Sequence, residues 1–374
     1  METKPTDLGG AERPAGPAPF FSVVVPCCDV ESYLRECLDS LLAQPCGDWE
    51  CLLEVEDSKD ATEALARSCA AKDARFRVFT GPRSGSCSVP RNRGIAHARG
   101  EYVVFLDGDD TLVPGSLSRL HSAISARPGA DLYPCAIQVR NEVTNRDEPL
   151  RDNYPPSFSG ELTGPEATRM IYAKQERPCP MLQLTVFRRE FLAGNDLRCI
   201  PGIKRQDSEF SPRALYLARR VIPLHEPLYV YRIRPRSVST MAKNTGYFLK
   251  DYASILRSLL AFHARISRDP GFDRRLSPPW AKHWFMWLYY YWFAPRVIRN
   301  TPRRRRLETL HAAFPDGFAD FDALDRASTG SRRLAGRFMK LAVRHPRLAC
   351  LSDLFFRFAY FPLSDFRDRL RTAR

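Results

Sequence analysis

Through the first 130 residues of this 374-residue chain, short apolar runs alternate with segments of helical periodicity. Residues 20–25 predict a fully buried strand that stops at Pro26, and residues 31–43 place Tyr33, Leu34, Cys37, Leu38, Leu41 and Leu42 on one helical face. The unit then repeats. Strands are predicted over 50–55 and 76–79, with a helix over 61–71 between them and a loop over 81–85. A helix over 88–97 follows, capped by Ser88 and with Pro90 in its first turn. The next strand, 102–106, ends abruptly in Asp107, Asp109 and Asp110 around a single glycine. After Pro114 a helix presents Leu117, Leu120, His121 and Ile124 on one side.

Strands alternating with helices of this length imply parallel βαβ units with right-handed crossovers, an α/β fold with a doubly wound, Rossmann-like sheet. Ligands of such sheets sit beyond the carboxyl ends of the strands. Residues 26–29, 56–60 and 107–110 each follow a strand end, so three segments are expected to converge on one edge. Past residue 130 the pattern weakens: a strand over 131–139, a helix over 165–173, a strand over 182–187, a helix opening at Gln206-Asp207 and a strand over 227–231. Helices are expected over 247–266 and 331–345, and aromatic stretches at 282–294 and 354–363 lie among arginines. This divides the chain into a polar, Pro/Gly-rich and disordered lead (1–19), an α/β domain (20–240) and a helical C-terminal region (241–374).

Charge changes the picture of the last part only. Residues 241–374 hold 26 Lys and Arg against 11 Asp and Glu, a net +15, and the first 240 residues come to −1. Aromatics mixed with arginine over 280–306 suit an anionic membrane surface; a helical core or a homo-oligomer contact fits them equally. The run is too short to span a bilayer, and no nucleic-acid-binding module is visible, so nucleic acid is not an expected partner. The lead lacks a basic region followed by an apolar core, and eleven irregularly spaced cysteines do not form a disulfide framework. The expected location is the cytoplasm, with a peripheral place on the inner face of the membrane if the basic region binds lipid.

The acid-ended strand carries the chemistry. Three like charges within four residues repel unless a cation, a positive ligand or water takes up the charge. Mn2+ or Mg2+ takes one or two protein carboxylates together with phosphate oxygens and water, and Asp107-Gly-Asp109 offers two carboxylates around a glycine that lets a ligand approach the backbone. A solvated acidic turn is the plain alternative. Asp110 is expected to cap the segment leading to Pro114. Arg232 and Arg234 alternate on a predicted strand and so share a face, from which they reach a diphosphate, a charged acceptor or only solvent. Arg91 reads on its spacing as an exposed helix charge, and Asp207 as the N-cap of its helix.

Ser22-Val-Val-Val-Pro-Cys-Cys-Asp29, Pro90-Arg-Asn-Arg-Gly94, Tyr102-Val-Val-Phe-Leu-Asp-Gly-Asp-Asp110, Gln206-Asp207 and Pro227-Leu-Tyr-Val-Tyr-Arg-Ile-Arg-Pro-Arg-Ser-Val-Ser239, in that order, resemble the family 2 glycosyltransferases of GT-A fold. The resemblance implies a mixed sheet and transfer of a sugar, with inversion, from a nucleotide-diphosphate sugar, a UDP-sugar first. The implied acceptor is a hydroxyl of a cell-envelope glycan, polysaccharide or teichoic-acid-like polymer. It places Pro26 and Cys28 at the nucleoside, Glu56 at the base, Arg91 at the nucleotide, Asp107 at ribose and metal, and Asp109 on the metal. Asp207 takes the place of the general base, with Glu209 as the fallback. Glu56 stands where the family has an aspartate, and Gln206 where it has a first acid. Those departures keep open a catalytically silent relative that binds a nucleotide sugar or an anionic polymer. A nucleotidyltransferase fits less well, because no glycine follows the first strand. The processive members' Gln-x-x-Arg-Trp motif is absent, which favours addition of single sugars.

Overall fold

The computed structural model describes residues 17–144, 146–151, 154, 158–174, 182–234 and 249–277 and the single positions 302, 304 and 308. The expected lead (apart from 17–19), the 331–345 helix and the segment over 280–306 (apart from 302 and 304) lie outside these residues.

The chain runs β1 (Phe21–Cys27), α1 (Glu31–Leu42), β2 (Trp49–Glu56), α2 (Thr62–Ala70), β3 (Phe76–Gly81), α3 (Ser88–His97), β4 (Tyr102–Phe105), β5 (Thr111–Leu112) and α4 (Ser116–Ala126). After these come β6 (Leu132–Pro134), β7 (Ala136–Asn141), β8 (Arg146–Arg151), α5 (Gly164–Lys174), a 3-10 turn (Leu182–Leu184), β9 (Thr185–Arg188), α6 (Arg189–Gly194), α7 (Asp207–Leu217), β10 (Pro227–Ile233) and α8 (Leu249–Ile266). Six strands form a sheet in the order β3-β2-β1-β4-β9-β6, and β5-β10-β7-β8 form a smaller one. β1 to β4 pair in parallel and β9 and β6 antiparallel, a mixed α/β sheet of the expected kind.

Burial on both faces explains the continuous apolar runs. Val24 packs into the core beneath α3 and α5 to α8, while Phe21, Val23 and Val25 face the core under α1, α2 and α4. In α1, Leu34, Cys37, Leu38 and Leu41 are buried, and Leu42 is 42% exposed. Pro26 does not end β1, which continues to Cys27. The register with β4 stops at Val24, so the N–H that proline lacks has no strand to meet on that side.

β2 departs from a purely apolar strand. Glu50 and Glu54 are buried, and each is neutralised: Glu50 by the Ser22 hydroxyl (2.7 Å), the Arg99 amide (2.8 Å) and the guanidinium groups of Arg77 and Arg99, and Glu54 by Arg93 (2.9 Å). Gly94 lets α3 lie directly on β1. A Cβ there would stand 2.2 Å from Val24 Cγ1, so Gly94→Ala is expected to cost about 2 kcal/mol by forcing the helix off the sheet. A chemical melt showing no loss would contradict that packing.

Two expected strands divide. Residues 131–139 split at Cys135, whose amide donates to Leu184 O (2.7 Å), so β6 joins the large sheet and β7 the small one. Residues 182–187 begin instead with the 3-10 turn, which brings Gln183 to the strand ends. The helix over 88–97 forms at its expected residues, but its N-cap is Cys87. Ser88 is its first residue and makes no cap; its hydroxyl bonds Ser86 Oγ (2.5 Å) and the Gly202 amide (2.9 Å). Among the described residues no helix is long and apolar enough to cross a membrane.

Candidate active site

β1, β2 and β4 end side by side, and the residues that follow them meet as expected. Asp29, with φ 52°, turns the chain after β1; its amide donates to Ser58 Oγ (3.2 Å) and its carboxylate accepts from the Lys59 amide (2.7 Å) and pairs with Arg83. Cys28 Sγ lies 3.9 Å from Asp57 O, and burial pushes its thiol pKa up, so it stays a neutral group. Glu56 is buried, with one oxygen taking the amide (3.2 Å) and hydroxyl (2.5 Å) of Ser84.

The 107–110 turn follows β4. A Cβ on Gly108 would come within 3.2 Å of Pro26 O and Val30 Cγ2, so glycine lets the acidic turn pass against the end of β1. Asp107 is held through both oxygens, by Arg91 on Oδ1 and by Gln183 Nε2 on Oδ2 (2.7 Å), and its amide donates to the Tyr229 hydroxyl (3.3 Å). Arg91 is only 2% exposed, which excludes the exposed-charge reading. Asp109 accepts from Arg234 Nε (2.8 Å), and its backbone carbonyl accepts from Arg232 Nε (2.8 Å). Asp110 does not cap the segment toward Pro114. It is buried and receives the Tyr229 hydroxyl and the Arg232 amide (2.7 Å), which latches β10 to the end of β4.

Burial, reinforced by the neighbouring Asp107, raises the Asp109 pKa against the pull of Arg234. Burial together with Asp109 and Asp107 drives Asp110 well above the usual carboxylate range, although Tyr229 and the Arg232 amide oppose it. The turn's three carboxylates meet only the Arg91 and Arg234 guanidinium groups as ion-pair partners among the described residues, which leaves it short of positive charge. Arg232 does not relieve the shortage: it is buried between Glu36 (2.5 Å) and Glu142, with Tyr33 5.2 Å beneath its guanidinium. Arg234 lies 4.9 Å over the same ring. The two arginines do share a face, but Arg232 serves the framework and Arg234 the carboxylate of Asp109. Among the described residues no group of three His, Cys, Asp or Glu side chains is placed to hold a metal ion.

Asp207 is the first residue of α7 and is partly exposed. It is not the N-cap: Gln206 occupies that position, and no side chain caps the helix. Glu209 is fully buried against Arg213 (2.6 Å) and receives the Ser258 hydroxyl (2.6 Å), so it is engaged and shielded and cannot serve as the fallback base. α7 packs on the 3-10 turn that supplies Gln183 to Asp107.

Gln183, Tyr229, Glu36 and Glu142 were not legible as site residues. Gln183 had one signal, a lone polar residue within the apolar run Leu182-Gln-Leu184, because a buried amide needs a partner.

A mostly parallel sheet whose carboxyl edge carries Asp107-Gly-Asp109, with a small second sheet meeting that turn through Tyr229 and Arg232 of β10, defines an α/β protein of GT-A fold. Residues 22–194 match the sequence profile of glycosyl transferase family 2 and form a domain of that family. The uncharacterized glycosyltransferase EpsJ of Bacillus subtilis is 32% identical over 225 residues, 59% of this chain and 63% of EpsJ. The chain thus matches less than two thirds of that relative's length. The minor teichoic acid biosynthesis protein GgaB of B. subtilis is 33% identical over 102 residues, 27% of this chain and 11% of GgaB. S. aureus TarS 1–349, solved in complex with UDP-GlcNAc, shares the fold with a TM-score of 0.63 at 19% identity, over 90% of this chain and 88% of that one.

Proposed function

We propose that the protein transfers a sugar from a UDP-sugar, with inversion, to a hydroxyl of a cell-envelope glycan, polysaccharide or teichoic-acid-like polymer. The observation that carries this reading is Asp107, clamped by Arg91 and Gln183 at the end of β4 beside an Asp109 short of positive charge, within a family 2 domain. TarS, of the same fold, is crystallised with UDP-GlcNAc, and GgaB is named for teichoic acid biosynthesis; both support the donor and acceptor classes.

Two carboxylates in a charge-deficient turn fit a hard divalent cation, which needs only one or two protein ligands when donor phosphates supply the others. Asp109 and Asp107 would hold Mn2+ or Mg2+, which when bound offsets the negative charge on the departing diphosphate. Pro26, Cys28 and Glu56 would line the nucleoside side, and the Glu56 oxygen not bonded to Ser84 would accept from a base N–H. Arg91 acts on the donor through Asp107, and Arg234 lies beside the diphosphate. Asp207 takes the proton of the acceptor hydroxyl as its oxygen bonds to the anomeric carbon and the bond to the diphosphate breaks, with the electron pair leaving on UDP. The basic segment over 280–306 would keep the enzyme at an anionic membrane face.

Nucleotide release from a panel of UDP-, GDP- and CDP-sugars with Mn2+ or Mg2+ tests the activity. UDP-sugar turnover is expected, and binding without turnover would instead favour the silent binding protein. Asp207→Asn is expected to lower turnover by about 10²- to 10⁴-fold with donor affinity retained.

A further inference from the structure

We infer that Asp251, on α8, is a positioning residue for Asp207, fixing the turn that delivers the base to the site. The inference rests on the proposed role of Asp207. It extends the working unit past residue 194, where the match to the family profile ends.

The turn over 199–206 has no regular structure of its own, yet it is tied at several points. Asp251 accepts a hydrogen bond from the Lys204 amide (3.0 Å). The next residue, Arg205, has φ 57°, a left-handed conformation that is disfavoured for a non-glycine residue and persists only where its surroundings fix it. Directly after it the Ser208 amide donates to Arg205 O (3.0 Å), and α7 begins at Asp207. The bond to Asp251 therefore sits just before the strained residue, which sets the direction of the helix start. A second tie from α8 lies two turns along that helix: Ser258 donates to the buried Glu209 (2.6 Å).

The other side of the turn is tied to α3. Asn92 donates to Cys199 O and accepts from the Cys199 amide, both at 2.8 Å, and Ser88 Oγ accepts from the Gly202 amide (2.9 Å). Asn92 follows Arg91, which holds Asp107. One helix thus grips both the donor-side carboxylate and the start of the base-bearing turn, and α8 grips its end. An acceptor at position 251 closes this frame, and an aspartate or an asparagine supplies it equally.

The test uses the full chain and, as probe, whichever UDP-, GDP- or CDP-sugar the wild type hydrolyses fastest with Mn2+. Nucleotide release gives kcat and KM, calorimetry gives donor affinity, and thermal melts check folding. Asp251→Ala is expected to lower kcat about 10- to 100-fold, the scale of loss from an ångström-sized misplacement, with KM and donor affinity unchanged. Asp251→Asn should restore most of the rate. Asn92→Ala should show the same kcat loss from the α3 side, and it decides the matter if Asp251→Ala does not fold. Wild-type kcat in a folded Asp251→Ala, or in Asn92→Ala when the first variant is unfolded, overturns the inference. An Asp251→Asn protein as slow as Asp251→Ala does so as well. Asp207→Asn separates the two levels. If it loses turnover while Asp251→Ala keeps it, only the positioning role fails; if it keeps turnover, or if the wild type hydrolyses no donor, the reading of Asp207 falls and the inference with it.

Discussion

Asp109→Asn is expected to turn over its donor about 10²- to 10³-fold more slowly than the wild type while folding normally. Of the three acids after β4, Asp107 already spends both oxygens on Arg91 and Gln183, and Asp110 is buried on Tyr229 and the Arg232 amide. Asp109 is held through one oxygen, by Arg234, so it keeps the most capacity to take a cation. Its stability effect has the opposite sign. Burial and Asp107 raise its pKa, so the folded state favours the protonated form. The stability from that form is fully present below the ordinary aspartate pKa of about 3.9 and is lost as pH rises through the folded-state value. Asparagine removes this loss. The variant should therefore gain stability on the wild type between acid and neutral pH, and Mn2+ with donor should narrow the gap by stabilising the wild type alone. Thermal melts across pH check the sign, and a rate equal to wild type would remove Asp109 from the metal site.

Arg91→Met should cost about 3 kcal/mol of stability. The guanidinium is buried and pairs with Asp107, so its loss leaves that carboxylate with Gln183 as its remaining side-chain partner. Arg91 Nε already lacks a partner among the described residues, so methionine fills the space at no cost there. Lysine should not rescue fully, because a point charge cannot reproduce the planar fork. A urea midpoint unchanged from wild type would show that the pair contributes little. Donor affinity should fall together with stability, since Asp107 loses its orientation.

Much of the fold could be read from the chain because the signals are local. Seven-residue β1 is an apolar run too short for a helix, eight-residue β2 holds the short apolar stretch Cys51-Leu-Leu53 between its glutamates, α1 and α4 repeat their apolar residues at helical spacing, and the acids after β4 mark where a buried strand must end. β8 escaped for the converse reason: Arg-Asp-Glu-Pro-Leu-Arg has neither alternation nor a strong apolar content, and it is a strand through its pairing with β7. β5, two residues long, exists only as a partner of β10.

The site divides along the same line. Sequence by itself determined that Asp107 and Asp109 stand at a strand end with a glycine between them and that Asp207 opens a helix, because spacing along one segment sets these. Only the tertiary structure decided which charges neutralise which. Arg91 turns inward to Asp107, Arg232 is consumed by Glu36 and Glu142, Glu209 is buried by Arg213 and Ser258, and Asp110 becomes a latch for Tyr229. Each of these depends on a partner from another element, and for buried charge that partner decides whether a side chain is free for chemistry or committed to the fold.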